Sequence, residues 1–279
     1  MFIKRILKKF VRVKKEKVLI PTLEGSFLND RCALITGGSS GIGYSIAKSF
    51  LNNGATVIIT GRNIGKLEDA KKKLVKDCKV KEDKIKINTL DLLDLKNMKN
   101  EFDKIVSNNI IDIFVNNAGV NGGEVFPNTS EEDFDKVMDT NLKGLYFFSQ
   151  IIADYMVENK IKGNILNITS SSSLRPGISP YILSKWGEKS LTLGMAKKYL
   201  PYGIVVNALA PGNTSTSMVN KNDLLDLTCD YSPSKRFIAP EEIGNIATIL
   251  VSNMGRMIVG DTIYMTGGSG VITFDDMNY

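Results

Sequence analysis

The sequence predicts an α/β protein, with one doubly wound parallel sheet of seven strands and helices on both faces, in a single domain. Short apolar runs alternate with longer segments of helical periodicity. The runs are almost continuously apolar, as expected for parallel strands that are buried on both faces. No repeat, low-complexity tract or Gly/Pro/Ser-rich linker divides the 279 residues into separate units.

The predicted elements alternate in order from residue 32 onward. We assign strands to residues 32–36, 56–60, 85–90, 111–116, 164–169, 204–208 and 262–265. Helices are predicted over residues 42–52, 66–76, 95–106, 131–157, 181–199 and 241–251. Ligands of such sheets bind beyond the carboxyl ends of the strands, so functional motifs are expected directly after the strands.

The positive charge of the chain is concentrated in its first residues. The net charge is +6, but residues 1–17 hold eight Lys and Arg against the single acid Glu16, which leaves −1 on the remaining residues. A nucleic-acid-binding domain carries its basic face on the fold itself, so we expect no nucleic-acid partner.

Residues 1–17 also place apolar side chains at helical spacing between the basic ones. Such a basic amphipathic helix suits an anionic membrane surface. Packing on a partner or second subunit and a disordered basic tail are the alternatives. The apolar stretches are too interrupted for a signal peptide or a transmembrane helix. We therefore expect a cytoplasmic protein whose tail is a candidate for contact with the inner face of the membrane.

The chain has no histidine, and its three cysteines are widely spaced without a CxxC pair. This composition predicts no metal site and reduced thiols. Proton transfer must then use another group. Tyr181 and Lys185 lie four residues apart on a predicted helix, and a nearby ammonium favours the phenolate. The alternative is an ordinary helix tyrosine beside a solvated lysine.

A glycine-rich turn joins the first strand to the first helix. Residues 36–43 read Thr-Gly-Gly-Ser-Ser-Gly-Ile-Gly. Glycines let the backbone turn sharply beside a pyrophosphate, and the helix N-terminus supplies N–H groups and a positive dipole end. We therefore predict that a dinucleotide is bound by Gly37, Ser39, Ser40, Gly41, Ile42 and Gly43.

The end of the second strand favours NADP(H) over NAD(H). An acidic residue there would accept hydrogen bonds from a ribose 2′-hydroxyl and repel a 2′-phosphate. This chain has Thr60, Gly61 and Arg62 instead, and a guanidinium suits a phosphate. The alternative is a solvated arginine that opens the next helix.

Together these residues resemble the short-chain dehydrogenase/reductase family, over about residues 31–268. Residues 36–43 are similar to the family's TGxxxGIG motif, residues 116–119 to its NNAG motif, and residues 181–185 to its YxxxK motif. The resemblance implies a Rossmann-like fold and a homodimer or homotetramer. We accordingly divide the chain into a basic extension, residues 1–29, and an NADP-binding catalytic domain, residues 30–279.

The resemblance also implies further cofactor contacts. Asp91 and Leu92 are expected at the adenine. Tyr181 and Lys185 are expected to contact the cofactor as well as the substrate. The remaining expected contacts lie along the ribose and the nicotinamide: Asn117, Ala118, Gly119, Pro211, Gly212, Thr214 and Thr216.

The implied reaction is hydride transfer between NADP(H) and the carbonyl or alcohol carbon of a small molecule. Tyr181 would act as general acid and base, Lys185 would stabilise its phenolate, and Asn141 would hold a water of a proton relay. The family serine matches Ser170, eleven residues before Tyr181, a shorter interval than usual, so Ser171 and Ser172 remain rivals. The alternative function is a catalytically silent nucleotide-binding regulator or scaffold, associated with a membrane surface through the tail.

Overall fold

A computed structural model describes residues 20, 22–216 and 226–273 of the chain. The roles predicted for residues 1–17 lie outside these ranges and stay predictions. Within the ranges, no helix combines the length and the hydropathy that crossing a bilayer requires. The segment before the first strand is attached to the body, because the Leu28 N–H donates to the Asn53 carbonyl and the Leu28 side chain is fully buried.

Seven parallel strands form one sheet in the order β3-β2-β1-β4-β5-β6-β7. The doubly wound architecture predicted from the sequence is therefore confirmed. Pairing is in register between neighbours, for example Leu34 with Ile58 and with Phe114. The strands are β1 Cys32–Thr36, β2 Thr56–Gly61, β3 Ile85–Thr89, β4 Ile113–Asn116, β5 Asn164–Ile168, β6 Val205–Pro211 and β7 Thr262–Met265.

Helices cover both faces of this sheet because successive strand residues point to opposite sides. Ile35 packs into one core with the first, second and last helices, whereas Leu34 packs into the other core. The helices of the described residues are α1 Gly41–Asn52, α2 Ile64–Cys78, α3 Met98–Val106, α4 Glu131–Met138, α5 Leu145–Glu158, α6 Pro180–Tyr199 and α7 Pro240–Val251.

The single helix predicted for residues 131–157 is interrupted. A π-helical turn, Asp139–Gly144, separates α4 from α5. At its centre the buried Asn141 side chain binds both backbone groups of Val120: its Oδ1 accepts from the N–H at 2.8 Å, and its Nδ2 donates to the carbonyl at 2.9 Å. Such single π turns are frequent at functional sites.

Candidate active site

The carboxyl ends of the central strands open onto a cleft of about 390 Å³. The sheet order reverses between β1 and β4, and ligands of doubly wound sheets bind at this reversal. Most of the predicted site residues line the cleft. These are Gly37, Ser39, Ser40, Gly41, Ile42, Arg62, Asp91, Leu92, Asn117, Ala118, Gly119, Tyr181, Lys185 and Thr216.

The other predicted residues are not among those that line the cleft. They are Gly43, Asn141, Ser170, Pro211, Gly212 and Thr214. Thr214 is close to the wall, since its carbonyl accepts from the N–H of the lining residue Thr216 at 2.8 Å. The neighbouring residues 217–225 lie outside the described ranges.

The glycine turn is shaped by its surroundings as well as by its conformation. Gly37 has φ +66°, and a Cβ there would lie 3.0 Å from the Ala118 Cα. A Cβ on Gly43 would lie 2.5 Å from both the Gly37 carbonyl oxygen and Asn117 Nδ2. Gly43 therefore allows α1 to pack against the turn, and it does not itself line the cleft.

The N-terminus of α1 faces the cleft without a competing side chain. Its N-cap, Ser40, makes no side-chain capping hydrogen bond, and its first turn holds no acidic residue. Thr216 lies beside this helix end, with its Cγ2 3.5 Å from where a Cβ of Gly41 would lie. Unsatisfied N–H groups and the positive helix end suit a phosphate at this position.

Side-chain hydrogen bonds hold the loop after β4 against the glycine turn. Thr36 Oγ1 accepts from the N–H groups of Asn117 and Ala118, at 3.0 and 3.1 Å. Below them, Asn116 Nδ2 donates to Ser149 Oγ and Asn167 Oδ1, each at 2.8 Å. The NNAG segment is thus fixed by a buried polar network beneath the cleft floor.

The end of β2 gives the cleft a basic rim. Arg62 is exposed and lines both the cleft and an adjacent depression that holds Asp91, Asp94 and Glu101. Lys66 also lines the cleft, which sequence reasoning missed. It stands in the first turn of α2, where no acidic residue is present. The sequence did hold a signal for it, because Lys66 follows Arg62 by four residues just after the second strand.

Tyr181 and Lys185 share one face of α6 at the inner end of the cleft. Ser179 caps this helix by accepting from the Ile182 N–H, and Pro180 begins it. The Lys185 Nζ lies 5.7 Å from the centre of the Tyr181 ring. Lys185 is only 5% exposed, so the alternative of a solvated lysine is wrong.

A buried acid accompanies Lys185. Lys185 Nζ contacts Glu188 Oε1 at 2.7 Å and Oε2 at 3.0 Å, and it donates to the Ile168 carbonyl at 3.2 Å. Burial lowers the pKa of Lys185, but the Glu188 carboxylate and Tyr181 together outweigh this effect and hold that pKa above its ordinary value. Glu188 itself is completely buried. Sequence reasoning overlooked it because an acid three residues after a lysine is common on exposed helices.

Three of the four serines after β5, Ser170, Ser171 and Ser172, remain candidates to bind a substrate oxygen. Ser173 is turned away, since its buried hydroxyl donates to the Ser170 carbonyl at 2.8 Å. Ser170 Oγ accepts from the Ser172 N–H at 3.1 Å and lies 3.1 Å from the Ser172 hydroxyl. Ser170 and Ser172 therefore present a linked pair of hydroxyls, and the choice among Ser170, Ser171 and Ser172 stays a prediction.

A glycine turn, an uncapped helix end and a strand-order reversal define a dinucleotide-binding α/β protein. The family model for short chain dehydrogenases matches residues 31–224. The chain belongs to the short-chain dehydrogenase/reductase family, whose members are oxidoreductases that use NAD(P)(H).

The matches to individual relatives span almost the whole length of each relative. Gluconate 5-dehydrogenase of Gluconobacter oxydans is 32% identical over 246 residues, which span 85% of this chain and 93% of the relative. The 3-oxoacyl-(acyl-carrier-protein) reductase of Thermotoga maritima is 32% identical over 246 residues, spanning 86% and 98%. The crystal structure of the 3-oxoacyl-(acyl-carrier-protein) reductase of Brucella melitensis has a TM-score of 0.81 at 25% identity, covering 92% of this chain and 98% of that one.

Proposed function

We propose that this protein is an NADP(H)-dependent oxidoreductase that interconverts the carbonyl and alcohol forms of a small molecule. The observation that carries the proposal is the position of Tyr181 and Lys185 in the same cleft as the glycine turn. That position brings a proton-transferring phenol and a cation to the inner end of a dinucleotide site. A nucleotide-binding scaffold would have no need of this pair.

The residues present suit a dinucleotide. The close approach of Gly37 to Ala118 leaves room for backbone alone, and the uncapped end of α1 offers N–H groups to a phosphate. When bound, the nicotinamide supplies or accepts the hydride. Tyr181 would give the substrate oxygen its proton during reduction and remove it during oxidation. Lys185 would favour the phenolate, and Ser170 would donate a hydrogen bond to the same oxygen.

The preference for NADP(H) is supported by the basic rim at the end of β2. Arg62 offers a planar set of donors, and Lys66 adds a second cation within one helical turn. A cation in the first turn of a helix is opposed by the helix dipole. A bound phosphate would relieve this unfavourable placement, so the pair is best explained as a site for the 2′-phosphate.

The substrate class is drawn from two kinds of relative, one named for gluconate and the other for a 3-oxoacyl group on an acyl-carrier protein. We propose a small keto compound of one of these classes as the substrate. Exposed apolar residues on α5 and α6 support assembly into a homodimer or homotetramer. Contact of residues 1–17 with a membrane is proposed from the sequence alone.

The test is turnover with a panel of a 3-oxoacyl thioester and a keto-sugar acid, followed by NADPH absorbance and repeated with NADH. We expect NADPH to be preferred and Tyr181→Phe to lower kcat by roughly a hundredfold or more, because the general acid is lost. Tyr202→Phe is the matched control, since Tyr202 is 54% exposed and is not among the residues of the cleft wall. Equal turnover of Tyr181→Phe and wild type would refute the catalytic role. Tight NADPH binding without turnover on any carbonyl compound would favour the silent scaffold.

A further inference from the structure

The ion pair between Lys185 and Glu188 is unusual for its burial. Glu188 is 0% exposed and the Lys185 side chain 7% exposed, and both carboxylate oxygens lie within 3.0 Å of the ammonium. Thr192 Oγ1 donates to the Glu188 carbonyl at 2.8 Å and fixes the same turn of α6. Both charges of the pair are thus withdrawn from water at the inner end of the cleft.

Among the described residues, Glu188 is the one carboxylate that acts on Lys185. Strands β5 and β6, which flank it, contain no titratable residue, and β5 contributes the Ile168 carbonyl. The π-helical turn contributes the neutral Asn141 amide, while its Asp139 and Lys143 pair with each other. Among the described residues, the titratable groups that act on Lys185 are Glu188 and Tyr181. Helix α4 also packs against α6, and its charged residues, apart from the half-buried Asp133, are exposed: Glu131, Glu132, Asp133, Asp135 and Lys136.

A lysine buried in this way without a partner loses its proton readily, because desolvation penalises the ammonium. Removing one member of a buried ion pair leaves the other charge uncompensated. Glu188 is therefore the group on which the charge of Lys185 depends. The reaction proposed above needs that charge, since a neutral amine would neither favour the phenolate nor donate as strongly to a ribose hydroxyl.

We propose that Glu188 is a positioning residue that keeps Lys185 charged and directs its ammonium to the inner end of the cofactor cleft. This role rests on the proposed function for its catalytic meaning, but the ion pair can be tested without substrate. An ammonium has three donors, and here they are directed at both Glu188 oxygens and the Ile168 carbonyl. A ribose hydroxyl that binds Lys185 must share or displace one of these contacts, so Glu188 also sets the orientation from which Lys185 meets the cofactor.

The direct test follows the ionisation of Lys185 by NMR in full-length protein that carries lysine labelled with carbon-13 at Cε. The Lys185 signal is the one missing from Lys185→Met. In wild-type protein we expect it to stay in its charged position up to the pH at which exposed lysines titrate. In Glu188→Gln, which preserves shape and removes the charge, it should lose its proton about two pH units lower or more. Glu188→Asp should restore most of the difference.

The matched control is Glu241→Gln, which removes an exposed carboxylate from the first turn of α7 and should leave Lys185 unchanged. Identical Lys185 titration in wild type and Glu188→Gln would overturn the proposal. If Glu188→Gln fails to fold, the titration of Lys185 in wild-type protein is the test. Deprotonation of Lys185 below the exposed lysines of the folded protein would then overturn it.

NADPH binding, measured by fluorescence across the same pH range, separates this inference from the proposed function. We expect the Kd of Glu188→Gln to rise by roughly tenfold over wild type as Lys185 loses its charge. If wild-type protein binds no NADPH while the Lys185 titration shifts as expected, the proposed function fails and the role of Glu188 stands. If NADPH binds and Lys185 titrates alike in wild type and Glu188→Gln, the role of Glu188 fails and the proposed function stands.

Discussion

Lys185 and Arg62 are both cations of the cofactor cleft, but burial gives them different tasks. Lys185 is enclosed and depends on Glu188 for its charge. Arg62 is exposed and keeps its donors open to an incoming anion. A buried cation is held in a fixed position, and it destabilises the protein if its partner is removed. An exposed cation adds little to stability and acts mainly by binding a phosphate. Arg62 is therefore expected to govern the choice of cofactor and to contribute little to stability.

Arg62→Ala should weaken NADPH binding by about ten- to hundredfold, the usual effect of losing hydrogen bonds to a charged group. NADH lacks the 2′-phosphate, so its affinity should change little. Fluorescence titration with both cofactors measures the effect. The control is Lys72→Ala, which removes an exposed charge from the same helix, α2, outside the cleft wall. Equal losses for NADPH and NADH would show that Arg62 does not contact the 2′-phosphate.

At this scale, the sequence predicted residues whose chemistry depends on a short spacing. The glycine turn and the Tyr181–Lys185 pair belong to that class, and they line one cleft. It could not predict Glu188, because only tertiary packing distinguishes a buried helix acid from a solvated one. Ser170 illustrates the same limit, since the hydrogen bonds among four adjacent hydroxyls depend on the turn they adopt.

At the scale of elements, the position of α1 decides whether its N-terminus can face a phosphate. The helix lies close to the turn because Gly43 has no side chain. Gly43→Ala should therefore push α1 away, destabilise the fold by about 1–3 kcal/mol and weaken NADPH binding. Urea unfolding and fluorescence titration measure the two effects.

Gly65→Ala is the contrasting substitution on α2. A Cβ there would meet Asn63 Oδ1 at 3.4 Å, an ordinary contact. Alanine is the better helix former, so this change should stabilise the protein by about 0.5–1 kcal/mol. If urea unfolding shows Gly43→Ala to be as stable as Gly65→Ala, α1 tolerates a side chain at the turn.

The interrupted helix between β4 and β5 shows why element boundaries escape a periodicity argument. Residues 131–157 have the hydrophobic pattern of one helix. The π-helical turn adds one residue to a single turn, and this changes the hydrophobic pattern too little to be recognised in the sequence. The interruption depends on distant partners. Asn141 binds the Val120 backbone, and a Cβ on Gly144 would lie 2.5 Å from the Leu92 carbonyl oxygen.

At the scale of the whole molecule, strand alternation was sufficient to predict the sheet and the edge that carries the cleft. The surface that a second copy would cover was not predicted. α6 exposes Leu183, Trp186 and Leu193 at positions that share one helical face, and α5 exposes Tyr146 and Phe147 on the same side of the sheet. Exposed apolar patches of this kind mark protein–protein contacts.

Leu193→Glu should disrupt the proposed oligomer, because it places a charge in an apolar contact that association would dehydrate. Leu193 is 55% exposed in the single chain, so the variant should remain folded and shift from dimer or tetramer toward monomer. Light scattering coupled to size-exclusion chromatography measures the mass. Met257→Glu is the matched control, since Met257 is 93% exposed and lies outside α5 and α6. A wild-type protein that is monomeric at all concentrations would refute the homo-oligomer, whereas an unchanged mass in Leu193→Glu would move the interface away from α6.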